Sequence, residues 1–203
     1  MATEKIKRSY RKAKYILYKE TLVDFREKFW SFVGSFIGIG TLAYLQSQTL
    51  PDADVLFLIG SFGASSVLIY GIIQSPLAQP RNLIGGHVIS AIVGVTVVKL
   101  VPDIMWLAAA LSVSISIILM QLTKTLHPPG GATALIAVTG SSHIKSLGYW
   151  YAISPVLSGV LILLIVALVV NNTTSKRSYP SNNQFHKKYH NFRKRIVQKK
   201  LKL

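Results

Sequence analysis

Between residues 29 and 170 the chain carries only seven formally charged side chains, four basic and three acidic. A soluble domain of that size keeps many more charges, because charged side chains cover most of a surface that faces water. This region is therefore predicted to lie in a lipid bilayer, and we do not expect a water-soluble enzyme. The remaining charge collects at the ends: residues 1–28 hold nine basic and four acidic side chains, and residues 171–203 hold ten basic and no acidic ones.

Five apolar segments are long enough to cross a bilayer core, which is about 30 Å thick and needs roughly 20 helical residues. They are residues 30–45, 55–73, 83–101, 104–122 and 150–170. A sixth segment, 130–139, is equally apolar but only about half as long as a full span. The predicted fold is an all-α polytopic membrane protein with five full transmembrane helices and a short half-helix.

The loop charges predict the orientation of these segments. Arg81 and Lys124 fall in turns on the side of both basic termini, whereas Asp52, Asp54 and Asp103 fall in the other loops. Basic loops stay inside, so both termini are expected in the cytoplasm of a multi-pass protein of the cell membrane. Termini on one side require an even number of crossings, so segment 130–139 should help complete a sixth. It could equally be a re-entrant loop if another span is wrong.

Two basic segments flank the predicted transmembrane domain (29–170). In the N-terminal arm (1–28), Ile6, Tyr10, Ala13 and Leu17 form a helical stripe opposite a Lys/Arg face, which favours a helix lying on the cytoplasmic leaflet. A solvated charged leader is the alternative. The tail (171–203) is expected to attract anionic lipid. It contains no folded element for reading nucleic acid, so we expect no nucleic-acid partner.

Two short motifs suggest an internal repeat. Gly63-Ala64-Ser65-Ser66 and Gly131-Ala132-Thr133-Ala134 are both followed by aliphatic residues, and they are offset by 68 positions. The same offset carries the third span onto residues 151–169, so the chain divides into three plus three segments. The two triplets would start from opposite sides of the membrane, as in the inverted repeats of many transporters. Chance similarity between apolar segments is the alternative.

Each repeated motif is predicted to follow a break in a helix. Gly60-Ser61-Phe62-Gly63 interrupts the second span, and His127-Pro128-Pro129 precedes the half-helix. A helix N-terminus offers unpaired N–H groups and about half a positive charge, so two opposed N-termini near the midplane would favour an anion. The predicted substrate-binding residues are Gly63, Ala64, Ser65, Ser66, His127, Gly130, Gly131, Ala132 and Thr133.

Three polar side chains have more than one interpretation. His127 could donate to the anion, shuttle a proton or be a structural buried histidine. Arg81 could attract an anion at the cytoplasmic mouth or mark the inside face. His87 is expected to serve helix packing. No metal site is expected, because His87 and His143 are far apart in sequence and no carboxylate falls in the core. No catalytic set or cofactor motif is present, so we expect neither an enzyme nor a cofactor.

Small residues recur on three spans at spacings that place them on one helix face. Small residues let membrane helices approach closely. The sets are Gly86, Ser90 and Gly94 on the third span, Ala108, Ser112 and Ser116 on the fourth, and Gly34 and Gly38 on the first. The glycines of the first span could face another subunit, which leaves a homo-oligomer open.

Residues 125–135, with the run His127-Pro128-Pro129-Gly130-Gly131, resemble the signature of the HPP family of integral membrane proteins. Residues 60–65, 75–87, 171–172 and 179–180 resemble other shared blocks, so the resemblance covers about 29–180. It implies a polytopic membrane protein. Because some plastid and cyanobacterial relatives are regarded as nitrite transporters, it also implies nitrite as a substrate. The family is often described with four membrane helices, a count that would miss a half-helix.

The expected function is transport of a small monovalent anion across the membrane, nitrite first and nitrate or a similar species next. The alternative is a membrane scaffold or sensor whose basic tail binds a partner or anionic lipid. Deletion of the tail separates the two, because transport should survive it and a scaffold should fail.

Overall fold

The computed structural model describes residues 24–101, 104–174 and 177–181. These residues form helices and turns with no strand, which confirms the all-α prediction. The predicted amphipathic helix of the N-terminal arm, Asp103 and residues 182–203 of the basic tail lie outside the described residues.

The five predicted spans are confirmed as helices long and apolar enough to cross a membrane. The α-helices in chain order are α1 Phe25–Ser47, α2 Asp52–Ser66, α3 Pro80–Leu100, α4 Met105–Leu122, α5 Pro129–Thr139, α6 Ser142–Ser146 and α7 Ser158–Val170. A π-helical turn, Val67–Gly71, extends α2. The segment Ala152–Leu157 precedes α7 and is kinked at Ser154, whose backbone is extended. Proline occupies the first turn of α3 and α5, where a missing N–H costs nothing.

The predicted break in the second span is wrong. Helix α2 runs as continuous α-helix through Gly60 and Gly63 to Ser66, and it departs from α geometry only at Val67–Gly71. A glycine inside a helix costs about 1 kcal/mol. A backbone group left without a hydrogen bond in hydrocarbon costs several kcal/mol, so the helix continues through its glycines.

The predicted break before the half-helix is confirmed, since α5 begins at Pro129. Helix α5 runs in the same direction as α3 and starts partway along it. The backbone of Gly130 packs against Gly86, where an added Cβ would lie 2.8 Å from the Gly86 carbonyl oxygen. Eight residues further along α3, a Cβ on Gly94 would lie 2.6 Å from the carbonyl oxygen of Ala134. The small-residue face of α3 is therefore confirmed as a close-packing surface for α5.

Residues 123–139 cross the helix layer from one end to the other. At the first end Arg81, in the first turn of α3, donates from Nη2 to the carbonyl of Thr123 at 2.6 Å. At the opposite end Thr96, one turn before the end of α3, bonds the hydroxyl of Tyr149 at 3.1 Å. A non-helical stretch covers the first half of this crossing and α5 covers the second half. This course agrees with a sixth crossing, which stays a prediction beside the re-entrant alternative.

Both ends of the described chain lie at one face of the helix layer. Glu27, in the first turn of α1, forms an ion pair with Arg177, which follows α7, at 2.9 Å. The hydroxyl of Tyr179 donates to the carbonyl of Ala78 at 2.7 Å. This placement agrees with an even number of crossings. The packed fold runs past Val170, where the sequence analysis places the end of the transmembrane domain.

The packing agrees with a division into three plus three segments. Helix α1 packs against α2 and α7, and α4, its counterpart in the second half, packs against α5 and α3. Ser61 Oγ donates to the carbonyl of Pro129 at 2.9 Å, and these two residues are separated by the repeat offset of 68. The two halves differ in one helix, because α2 is a full span and its counterpart, α5, is a half-helix.

The glycines of the first span face their own chain. A Cβ on Gly34 would lie 2.6 Å from Cδ1 of Tyr70, and Gly38 faces the hydroxyl end of the same ring. The prediction that this pair could face another subunit is therefore wrong. The tyrosine ring fills the space that the two glycines leave.

Candidate functional site

Five polar side chains meet where α2, α3 and α5 come together, and each is at most 2% exposed. This central cluster consists of Ser61 and Ser65 of α2, His87 of α3, His127 of the 123–128 stretch and Thr133 of α5. Buried polar groups in a membrane domain are costly unless they find hydrogen-bond partners. The cluster is therefore the part of the fold where a functional role is most strongly indicated.

Ser65 joins the two histidines. Its Oγ lies 2.7 Å from Nε2 of His87 and 3.0 Å from Nε2 of His127. The two imidazole ring centroids are 5.0 Å apart. A single hydroxyl thus bridges two ionisable rings that come from different elements of the fold.

The cluster continues from His87 toward the start of α5. Nδ1 of His87 lies 2.6 Å from the hydroxyl of Thr133, and that hydroxyl lies 2.9 Å from Oγ of Ser61. Ser61 donates to the carbonyl of Pro129, and Tyr151 donates to the backbone carbonyl of Thr133 at 3.0 Å. Every side chain of the cluster therefore has at least one partner.

A backbone carbonyl fixes the direction of this hydrogen-bond chain. Nδ1 of His127 lies 2.8 Å from the carbonyl of Leu77, which can only accept, so Nδ1 carries a hydrogen. In a neutral ring Nε2 of His127 then accepts from Ser65. Ser65 has one hydrogen to give, so His87 donates from Nε2 to Ser65 and accepts at Nδ1 from Thr133. One tautomer of each histidine then gives both rings their partners, and Ser61 has one hydrogen to donate, either to Thr133 or to the Pro129 carbonyl.

The stretch that carries His127 is held by the start of α3. Arg81 is exposed and bonds Thr123, and Asn82 donates from Nδ2 to the carbonyl of Leu126 at 2.8 Å. Gly86 has no side chain, and an added Cβ there would overlap the Cβ of His127. Arg81 thus positions the stretch at the face of the protein, and its role in attracting an anion stays a prediction.

The N-terminus of α5 does not present the unpaired donors that the sequence suggested. Pro129 has no N–H, Gly130 donates to the carbonyl of His127 at 2.8 Å, and Gly131 donates to the carbonyl of Pro128 at 3.0 Å. The positive end of the helix dipole still points toward the cluster. The predicted anion cradle between two opposed half-helices is wrong, because α2 has no break and the first glycine N–H groups of α5 are already bonded.

Three of the predicted site side chains, Ser65, His127 and Thr133, come together in the central cluster, and the backbone of Gly130 lies beside it. The others point elsewhere. Ala64 is exposed, and Gly63 and Ser66 line an open crevice of about 360 Å³ between α1 and α2. Gly131 and Ala132 are half-buried, and Gly131 faces Val113 of α4.

The sequence analysis missed two members of the cluster, His87 and Ser61. His87 was assigned to helix packing, yet it hydrogen-bonds through both ring nitrogens. The available signal was its position inside a predicted span, because ionisable residues within a membrane rarely lack a polar partner. Ser61 was interpreted as part of a break that α2 does not have.

The face that holds both chain ends carries a second group of buried polar side chains. Arg177 is 1% exposed and donates to Glu27, to Asn171 and to the carbonyl of Tyr70. Burial lowers the pKa of the Arg177 guanidinium, and the carboxylate of Glu27 opposes that shift. Burial raises the pKa of the Tyr179 phenol. These groups fasten the residues after α7 onto the loop between α2 and α3.

Comparison with known proteins gives one family. The family model described as HPP, transmembrane region, matches residues 20–180. A transmembrane protein of Dictyostelium discoideum is 51% identical over 160 residues, which are 77% of this chain and 56% of that protein. A second transmembrane protein of the same organism is 48% identical over 160 residues, 77% of this chain and 51% of its own length. The chain spans about half the length of these relatives, and no solved structure matches it.

Proposed function

Because the chain belongs to the HPP transmembrane family, we propose that it transports a small monovalent anion, nitrite first, across a membrane by way of the central cluster. One observation carries this proposal: five fully buried polar side chains, two of them imidazoles, form one hydrogen-bonded cluster where α2, α3 and α5 meet. Polar and ionisable groups inside a membrane are expensive and commonly mark a solute pathway.

The groups of the cluster suit a small oxyanion. Ser61, Ser65 and Thr133 supply hydroxyl donors, and the histidines supply ring N–H donors. The positive end of the α5 dipole favours negative charge at the same place. The cluster is closed to both faces in the described arrangement, so access requires a movement such as displacement of the loop that carries Leu77.

The orientation follows from the charges at the two faces. Arg81, Lys124 and Arg177 lie at the face that holds both chain ends, whereas Asp52 lies at the start of α2 on the other side. By the positive-inside rule we assign the first face to the cytoplasm and place the protein in the cell membrane. The scaffold alternative depends on the basic tail, most of which lies outside the described residues.

Flux measurements in proteoliposomes test the proposed function. Purified protein should take up nitrite faster than protein-free liposomes, and nitrate should enter as a second substrate or compete. The Thr133→Val variant removes the hydroxyl that joins His87 to Ser61 and should slow uptake. Thr139→Val, at the exposed end of the same helix, is the matched control and should not. Folded protein that moves neither anion would contradict the proposal.

A further inference from the structure

We propose that the central cluster carries one proton together with each anion, and that this proton is shared between His87 and His127 through Ser65. Transport is then electroneutral and is driven by a proton gradient. This inference rests on the proposed function, which it deepens by naming the coupling ion.

The first argument concerns the charge available to an anion. The basic side chains of the described helices lie at the helix ends, as Arg81 and Lys99 do on α3. In the described part of the chain, none of them hydrogen-bonds to the central cluster. An anion without a compensating charge is strongly disfavoured inside a membrane. The histidines are the cluster members that can become cationic by taking up a proton, so the positive charge must come from an added proton.

The second argument is that the cluster accommodates a cation at His87 with every hydrogen bond kept. His87 then donates from Nε2 to Ser65 and from Nδ1 to Thr133. Thr133 turns its hydrogen toward Ser61, and Ser61 donates to the carbonyl of Pro129. Ser65 still donates to Nε2 of His127. The distances between these atoms, 2.6 to 3.0 Å, already suit this arrangement.

The same holds for a cation at His127, and two coupled hops connect the two states. With the charge on His127, its Nε2–H donates to Ser65, Ser65 donates to Nε2 of His87, and His87 donates from Nδ1 to Thr133. The N–H bond at His127 Nε2 then breaks as a new O–H bond forms at Ser65. The former O–H bond of Ser65 breaks as an N–H bond forms at His87 Nε2. One proton has moved between the rings, and no other atom has been gained or lost.

The distance between the two imidazoles limits the cluster to one added proton at a time. The two ring centroids are 5.0 Å apart, and two positive charges at that distance in a poorly solvated interior repel strongly. One added proton and one monovalent anion make a neutral pair, which is the least costly cargo for a membrane interior.

No other ionisable side chain contacts the two imidazoles in the described residues. The faces around them present Phe62 and Ser65 from α2, Thr133 from α5 and the Leu77 carbonyl from the loop. Among the residues that the structure describes, no third histidine, aspartate or glutamate joins them. Two further buried ionisable groups have other partners, since Tyr151 donates to the Thr133 carbonyl and the Asp54 carboxylate accepts from Ser141.

The test compares two driving forces on the unmodified protein in proteoliposomes. Nitrite and nitrate are the probes, because nitrate has no neutral acid that leaks through lipid at neutral pH. A potassium gradient with valinomycin sets the membrane potential, and buffers set a pH gradient. We expect the pH gradient to drive uptake and the potential to leave it unchanged, after subtraction of protein-free liposomes.

The outcomes separate the two proposals. Uptake that follows the potential and ignores the pH gradient would overturn proton coupling and leave anion transport standing. No protein-dependent uptake of either anion would overturn the proposed function and this inference with it. Ser65→Ala should slow uptake driven by the pH gradient roughly 100-fold, the scale of a positioned proton-transfer group. Ser116→Ala also removes a fully buried hydroxyl, but one without a partner in the described residues, and should change uptake little.

Nitrogen-15 NMR of the histidines gives a readout that does not depend on flux. In the resting protein we expect His127 to carry its hydrogen on Nδ1 and His87 to carry its hydrogen on Nε2. On acidification one ring should become doubly protonated, with the signal exchanging between the two. A resting His87 protonated at Nδ1 would overturn the relay, because Ser65 would then face two acceptors with one hydrogen.

Discussion

The imidazole of His127 donates from Nδ1 to the backbone carbonyl of Leu77, 2.8 Å away and 50 positions earlier in the chain. Leu77 lies in the loop between α2 and α3, and Tyr179 bonds the next residue of that loop, Ala78. A ring in the centre of the fold is thereby tied to a surface loop and, through it, to the residues that follow α7. Opening the central cluster toward this face requires that the bond between His127 and Leu77 break.

Replacement of His127 by leucine should therefore reduce both stability and transport. The substitution keeps most of the side-chain volume but leaves the Leu77 carbonyl without a partner and removes the acceptor of the Ser65 hydrogen. Leaving a buried polar group unsatisfied costs about 1–3 kcal/mol. Thermal unfolding in detergent and nitrite flux in proteoliposomes measure the two effects. His143→Leu, at an exposed position of α6, is the control, and equal behaviour of the two variants would contradict the assignment.

Two glycine substitutions should have opposite effects on stability, because Gly94 lies in the contact between α3 and α5 and Gly60 faces open space. Gly94→Ala should destabilise the protein, because its Cβ would lie 2.6 Å from the carbonyl oxygen of Ala134 and 2.8 Å from the Cβ of Ala137. Overpacking of this kind costs about 1–3 kcal/mol. Gly60→Ala meets open space inside α2 and should be neutral or stabilising, since alanine is the better helix former. A melting temperature of Gly94→Ala at or above that of the parent would refute the close contact.

The five spans and the placement of both chain ends at one face could be predicted from the sequence because they depend on local composition. Length, hydropathy and loop charge determine them residue by residue. The start of α5 was also predictable, because two consecutive prolines remove N–H donors and fix the entry to a helix. The first prediction of a break failed at Gly60–Gly63 because glycine alone does not overcome the need of a backbone in lipid for its hydrogen bonds.

The site was only half predictable, because its assembly depends on contacts between distant elements. Ser65, His127 and Thr133 belong to motifs that stand out in the sequence. His87 joins them only because α3 places it between Ser65 and Thr133, and no spacing within α3 indicates this. The direction of the hydrogen bonds in the cluster likewise depends on one carbonyl, that of Leu77. No sequence motif identifies the loop that contains Leu77 as part of the site.

The buried phenol of Tyr179 predicts an alkaline loss of stability. Its pKa is raised above the ordinary value of 10.0 by burial, so folding favours the neutral phenol. The stabilisation is complete below pH 10 and decreases as the pH rises above that value, because the unfolded chain then loses its proton first. Melting temperatures between pH 8 and pH 11 should fall more steeply for the parent protein than for Tyr179→Phe.

The Tyr179→Phe variant should also be less stable at neutral pH, by about 1 kcal/mol, because it loses the hydrogen bond to the Ala78 carbonyl. Tyr44, which is 67% exposed on α1, offers the control Tyr44→Phe. Parallel pH profiles for the parent and Tyr179→Phe would show that Tyr179 does not ionise on unfolding in this range.

Two truncations of the C-terminal segment should behave differently. Removal of residues 182–203 leaves the Arg177 ion pair and the Tyr179 hydrogen bond in place, so nitrite flux and stability should persist. Removal of residues 175–203 takes away Arg177 and Tyr179, so Glu27, Asn171 and the carbonyls of Tyr70 and Ala78 each lose a partner. Breaking a buried ion pair costs about 3 kcal/mol, and the loss from Arg177 should be smaller because Glu27 is 34% exposed. The lost Tyr179 hydrogen bond adds about 1 kcal/mol.

The shorter truncation also separates transport from a scaffold. A protein that works by recruiting a partner or lipid through its basic tail would lose its function when residues 182–203 are removed. Flux into proteoliposomes that is lost in this variant, while its melting temperature is unchanged, would count against transport through the helix domain alone.

Cysteine labelling can establish the course of residues 123–139, since the chain has no cysteine of its own to give a background. Single cysteines at Lys124 and Thr173 should react from one side of the membrane, and those at Gln48 and Ser142 from the other. All four positions are exposed, so a membrane-impermeant maleimide can reach each of them from its own side. We expect Lys124 and Ser142 on opposite sides because of two contacts at the ends of α3, Arg81 with Thr123 and Thr96 with Tyr149. These contacts place Ser142 at the far end of α3 from Lys124. If Ser142→Cys and Lys124→Cys react from the same side, the segment re-enters and the six-crossing fold is wrong. If the Lys124 group reacts only after the membrane of intact cells is permeabilised, that side is the cytoplasm, as the positive-inside rule requires.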